Sequence, residues 1–172
     1  MSGTYHRVYD RIWREPWTQD ERYLAFYLLT CEHRAFEGIY RLPLAYASED
    51  LGWPTRKVRS TLASLAGYGF AEYDHDAQVV WIVKALKLQT PNGNQAKAAA
   101  RKVYALPPTR LLEPFREASE TLCPTLAEAL REVFAKGSAT GASHSKLQAP
   151  SSLSLRSTGP SERGNREKEK AA

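Results

Sequence analysis

The stretch LGWPTRKVRSTLASL, Leu51 to Leu65, places Arg56, Lys57 and Arg59 just after a Gly-Trp-Pro break. Side chains of this kind bind anions: a guanidinium can grip a phosphate with two parallel hydrogen bonds or read the edge of a guanine. At the α-helical period Val58, Leu62 and Leu65 share one side, with Thr61 and Ala66 at its margins. Arg56, Ser60, Ala63 and Ser64 fall opposite, flanked by Lys57 and Arg59. The small side chains on that face would let the helix backbone come close to a polyanion, and the positive end of the helix adds to the attraction. The same pattern also suits the solvated side of a packed helix. The elements around it must decide between the two.

Other reactive residue types form no constellation. His6, His33, His75 and His144 are scattered and make no metal-ligand spacing with Cys31 or Cys123. There is no phosphate-loop glycine pattern and no H-E-x-x-H. Glu49 and Asp50 are adjacent, and neighbours on a helix point apart. No catalytic residue, metal ligand or cofactor is therefore expected, and an enzyme is not the reading. The two cysteines lie far apart on apolar helical stretches, which suits small buried thiols better than a disulfide.

The chain has 172 residues, 42% of them hydrophobic and 10% aromatic, enough for one domain with an appendage. Neither a membrane-length apolar run nor a signal-peptide stretch is visible, so the expected location is the cytoplasm, with no membrane partner. The net charge of +5 is unevenly spread. Residues 1–50 carry six Arg/Lys against eight Asp/Glu, whereas residues 51–110 carry nine against three. The count is three against five over 111–136 and six against three over 137–172. The basic excess is thus concentrated mid-chain, as an electrostatic footprint would be.

The elements that would position the basic helix can be read in order. TQDERYLAFYLLTCE opens with Thr18 and Glu21 in a capping-box pattern, and Leu24, Tyr27, Leu28 and Cys31 line one helical face. Phe26 and Leu29 point elsewhere, so this helix needs cover on a second side. Val8, Ile12, Trp13 and Trp17, the C-terminal helices, or another subunit could supply it, and cover from within the chain is favoured. EGIYRLP is a short β-prone segment. LAYASEDLG follows as a helix with Leu44, Ala47 and Leu51 on one side and Gly52 as its cap. The basic helix runs from about Thr55 to Tyr68, with Gly69 ending it. FAEYDHDAQVVWIV reads as a hairpin turning at Asp74-His75-Asp76-Ala77, with an acidic tip. Helices are expected over Ala96–Tyr104, about Thr109–Glu120 and about Thr125–Lys136. After Lys136 the composition turns to Ser, Gly, Pro and charge without apolar periodicity, which predicts a disordered tail.

Helix, short strand, helix, turn, helix, hairpin is the order of a winged helix-turn-helix. The expected fold is therefore α+β, mainly α with a small β-hairpin. The winged helix-turn-helix and its N-terminal segment would occupy 1–90, a helical extension 91–136 and the tail 137–172. In that fold the second helix of the motif enters the major groove by its N-terminal half. The residues expected to contact DNA are Thr55, Arg56, Lys57, Arg59, Ser60, Ala63 and Ser64. Lys84 and Lys87 continue the basic region after the hairpin. Lys97 and Arg101, four apart on one helix face, suit either a backbone-binding track or the solubility of an Ala-rich helix.

The blocks RVYDRIWREPW, YLLT, GIYRLPL, EDLGW, FAEYD, VVWIVKALK and NGNQAKAAARKVYALP, in this order, resemble the winged-helix N-terminal domain of phage and prophage replication proteins. These are replisome organisers and DnaD-like primosomal proteins. The resemblance covers about Tyr5 to Arg116. It implies binding of duplex DNA at an origin, help in loading a helicase through the helicase or its loader, and assembly into homo-oligomers in the host cytoplasm. By it, Arg56, Lys57, Arg59 and Ser60 match the groove-facing helix. Two features depart from the pattern. Pro54 stands where a Ser-type cap is usual, so either Pro54 is the first helical residue or Thr55 is the cap. Beyond Arg116 no DnaD-like second domain follows. A transcriptional regulator of the same fold, or a winged helix that docks only proteins, are the alternatives.

Overall fold

The computed structural model describes residues 10–141, and side chains over 12–137. A 3-10 turn at Asp10–Trp13 precedes helix α1 (Gln19–Thr30), strand β1 (Ile39–Arg41), helices α2 (Leu44–Leu51) and α3 (Thr55–Gly67), and strands β2 (Ala71–Asp74) and β3 (Val79–Ile82). Helices α4 (Ala85–Leu88), α5 (Gly93–Tyr104), α6 (Leu112–Leu122) and α7 (Pro124–Gly141) follow. The fold is α+β, mainly helical around one antiparallel sheet of order β1-β3-β2.

Side-chain caps start two of the helices. The Thr18 hydroxyl accepts from the Glu21 N–H at 3.3 Å, while the Glu21 carboxylate accepts from the Thr18 N–H at 2.7 Å. This reciprocal cap satisfies two amides that α1 would otherwise leave open. A second capping box, Asn92 with Gln95 at 3.0 Å in both directions, starts α5 at Gly93, three residues earlier than the apolar pattern suggests. Pro54 is neither the first residue of α3 nor preceded by a cap. It is itself the N-cap, with extended backbone and no side-chain bond to give.

The sheet is covered on both sides. Strand β3 sends Val80 and Ile82 into a core with Tyr40, Tyr73, α1 and α3. It sends Val79 and Trp81 into a second core with Ile39, α5, Phe115 and Leu126. The Trp81 and Phe115 rings meet edge-on at 6.1 Å. The second side of α1 is covered from within the chain. Ile12 and Trp17 are buried with it, and the rings of Trp13 and Phe26 lie 5.1 Å apart.

Further differences from the sequence expectations lie in α4, α6 and α7. Helix α4 is a single turn that no apolar period announces. Helix α6 begins at Leu112 rather than Thr109, because Thr109 and Arg110 bond back to the hairpin. Helix α7 continues to Gly141, past the expected start of the tail at 137. It packs along α5, and Gly137 lies so close to the Tyr104 ring that a β-carbon would collide with it. Once docked, a helix gains a hydrogen bond with each added residue, which offsets the weak helix preference of Ser and Gly there. The rest of the expected tail, 142–172, lies outside the described residues.

Two stability tests follow from the packing. Leu62 is 3% exposed in the first core, so Leu62→Ala should cost about 2–5 kcal/mol in chemical denaturation. Ser60→Ala should change stability by less than about 0.5 kcal/mol. Gly38 has φ +87°, and a β-carbon on it would overlap that of Ala85. Gly38→Ala should therefore lower the melting temperature by more than the 4–8 °C that corresponds to about 1 kcal/mol in a small domain.

Candidate nucleic-acid interface

The turn before α3 is built from short-range bonds. Gly52 ends α2 in the left-handed conformation at φ +64°, and the Trp53 N–H donates to the Ser48 carbonyl at 3.0 Å. Pro54 then fixes the entry into α3 without capping it. The Pro54 carbonyl accepts from Lys57 and Val58, and among the described residues the amides of Thr55 and Arg56 at the positive helix end find no partner. Val58, Thr61, Leu62 and Leu65 are buried, whereas Arg56, Arg59, Ser60, Ala63 and Ser64 are exposed. The Ser60 and Ser64 hydroxyls donate to carbonyls of their own helix, at 3.0 and 3.3 Å, which keeps the outer face narrow. The side chains of Arg56 and Arg59 make no ion pair or hydrogen bond among the described residues. Thr55 is exposed at the first helical position, its hydroxyl 3.4 Å from that of Ser48.

The other basic residues are placed differently from a continuous track. Lys57 turns aside: its ammonium sits 2.9 Å from Asp20 and 4.1 Å from the centre of the Trp53 ring, tying α3 to the start of α1. Lys84 is exposed beside Glu15, Trp17 and Tyr68, at the end of α3 away from Arg56, and Lys87 follows it in α4. Lys97 and Arg101 lie on α5, in the layer across the sheet from α3. There they adjoin Glu132, whose carboxyl Lys136 holds below its usual range with their added help. The structure therefore brings Thr55, Arg56, Arg59, Ser60, Ala63 and Ser64 together and leaves Lys57, Lys84, Lys87, Lys97 and Arg101 apart from them.

The fold adds a residue that sequence spacing did not single out. Arg59, Leu62, Ala63 and Ala66 form one wall of a cleft of about 570 Å³, and Glu72, Tyr73, His75 and Arg110 complete it. Arg110 arrives from the far layer, and only its membership of the basic mid-chain region hinted at a role. Its guanidinium donates to the Tyr73 carbonyl at 2.9 Å. Burial pushes the Tyr73 hydroxyl up to about 12, against the nearby Arg59 charge, and this hydroxyl donates to the Leu42 carbonyl at 2.8 Å.

Arg110 is held in place by Asp74, which corrects the expectation of an acidic hairpin tip. Asp74 is 6% exposed, and only Asp76 presents its carboxylate to solvent. The Asp74 carboxylate accepts from the Thr109 hydroxyl at 2.7 Å and from the amides of Arg110, Asp76 and Ala77 at 3.0 to 3.2 Å. These bonds, the one from Thr109 foremost, hold its pKa near 2, against 3.8 ordinarily. A carboxyl depressed in the fold stabilises it fully above the unfolded pKa and loses that effect as pH falls through the folded one. Asp74→Asn should therefore destabilise the protein at pH 7 by about 1.5–3 kcal/mol. In paired thermal melts the gap between variant and parent should narrow from about pH 4 down to about pH 2. A gap independent of pH would mean that charge contributes nothing at this position.

Among the described residues no cluster of His, Cys, Asp and Glu could hold a metal ion, and no helix is long and apolar enough to cross a membrane. Cys31 and Cys123 are free, Cys123 buried and Cys31 half-buried, where burial raises the Cys31 thiol pKa. Compared with known proteins, the chain matches no family model, no curated sequence and no solved structure.

Proposed function

We propose that the protein binds duplex DNA as a winged helix-turn-helix, with α3 in the major groove and the β2–β3 hairpin as the wing. It would do so in replication initiation of a phage or prophage. The observation that carries this reading is the outer face of α3. Two arginines without a side-chain partner among the described residues, and a strip of Ser and Ala, stand exposed beside an uncapped, positive helix end. A helix of 13 residues is about 20 Å long, and the major groove, about 12 Å wide, accepts a helix whose outer side chains are small. The order of α1, β1, α2, α3 and the hairpin supports the same docking, because it sets α2 across α3 and the hairpin beside it. The replication role rests on the resemblance of the short sequence blocks. Helicase loading and homo-oligomer formation belong to the same proposal.

A second reading, docking of protein partners, is favoured by a different surface. Trp13 is 67% exposed and Tyr23 53%, and both line a hollow with Phe26 and Arg22 on α1.

Fluorescence anisotropy with origin-derived and random duplexes at two salt concentrations separates these readings. Binding that weakens steeply with salt supports the DNA reading, at a slope of about 0.9 per phosphate contacted. Reversing Arg56 and Arg59 together to Glu should abolish binding with an unchanged melting temperature, since each reversal adds repulsion against a polyanion. Reversing Lys97 and Arg101 should leave affinity within about threefold, because they lie in the layer across the sheet from α3 and salt screens exposed charges at such a remove. If the Arg56/Arg59 variant binds like the parent, α3 does not face DNA and the protein-docking reading stands.

A further inference from the structure

We propose that the cleft between α3 and the hairpin clamps one backbone phosphate of the bound duplex between Arg59 and Arg110. The helical layer behind the sheet would then supply part of the DNA contact. This inference rests on the DNA-binding reading and names a contact of that same surface.

The cleft has the chemistry of a phosphodiester site. Arg59 enters from the α3 wall and Arg110 from the opposite one, across about 570 Å³ of open space. Two guanidiniums against the single carboxylate of Glu72 leave the lining net cationic. A guanidinium has five N–H donors, and the Tyr73 carbonyl takes only one from Arg110. No other hydrogen bond or ion pair uses the remainder among the described residues. Those donors suit the non-bridging oxygens of a phosphate, which guanidiniums bind in pairs.

Arg110 is also fixed before any ligand arrives. Its amide is bonded to Asp74 at 3.0 Å, its neighbour Thr109 to the same carboxylate at 2.7 Å, and its guanidinium to the hairpin backbone. A side chain already ordered loses little entropy on binding. Arg59, whose side chain makes no ion pair or hydrogen bond among the described residues, supplies the second arm. The hairpin would thus contact DNA through an arginine borrowed from the far layer, although its own turn bears Asp76.

The test is a double-variant cycle in the full chain, read by anisotropy across a salt series. Arg59→Gln and Arg110→Gln should each weaken duplex binding about tenfold, the order of one good charged contact. Each should lower the log-log salt slope by about 0.9. Because both arms hold one phosphate, the double variant should bind less than about threefold weaker than either single one, with no further loss of slope. Losses that multiply to about a hundredfold, or an Arg110→Gln variant that binds like the parent, would overturn the clamp. In the latter case, loss of binding on reversing Arg56 and Arg59 would leave the DNA-binding reading standing. A parent chain without salt-dependent duplex binding would overturn both. If Arg110→Gln melts early through loss of its Tyr73 bond, duplexes with single neutral methylphosphonate linkages decide instead. One linkage should weaken the parent and leave Arg59→Gln unaffected, and the lack of any such linkage sinks the proposal.

Discussion

Strand β3 uses both of its faces, and the rest of the molecule is arranged by that constraint. All four of its residues are buried, Val80 and Ile82 toward α1 and α3, Val79 and Trp81 toward α5 and α6. A slip of one residue in pairing would drive Trp81 into the space of Val80 or Ile82. Overpacking of that kind is costly in a filled core. The register is therefore fixed against β1 and β2 alike, with Ile39 and Glu72 both opposite Trp81. Fixing the register also fixes the hairpin tip, since Asp74 must then stand opposite Val79.

From that fixed tip the two layers are tied together. Asp74 accepts four hydrogen bonds, two from its own turn and two from Thr109 and Arg110. A buried carboxylate is tolerable only when its lone pairs are occupied. Occupying them from the α5–α6 connection brings Arg110 around the edge of the sheet to the side of α3. One polar node thus satisfies a local turn, delays the start of α6 and adds a cation to the surface that carries Arg56 and Arg59.

The cations of the mid-chain region divide by what surrounds them. Lys57 faces Asp20 and Trp53, a partly exposed pair of modest energetic value that still sets how α3 leans on α1. Lys97 and Arg101 lie near Glu132, a carboxylate already bonded to Lys136, and stand in the layer across the sheet from α3. Among the described residues Arg56 and Arg59 form no ion pair, and the potential of the α3 face follows from these two rather than from the net charge of the segment.

The sequence by itself determined what is governed over three to four residues. The Thr18–Glu21 cap, the Val58/Leu62/Leu65 stripe of α3, the Gly52 stop and the hairpin turn are all interactions between near neighbours, so spacing alone shows them. Even at that range the Asn92–Gln95 cap is hidden in a Gly- and Asn-rich stretch that reads as a loop. Tertiary structure decided the rest. An uninterrupted apolar run such as Val79 to Ile82 does not say which layer covers which face, so the position of α5 across the sheet from α3 is absent from its own sequence. Asp20, which pairs with Lys57, and Thr109 and Arg110, which bond to Asp74, lie more than thirty residues away along the chain. A charge that is exposed by helical periodicity can still be claimed by a distant residue once the layers close. That closure is why Lys57 left the surface proposed to meet DNA and Arg110 joined it.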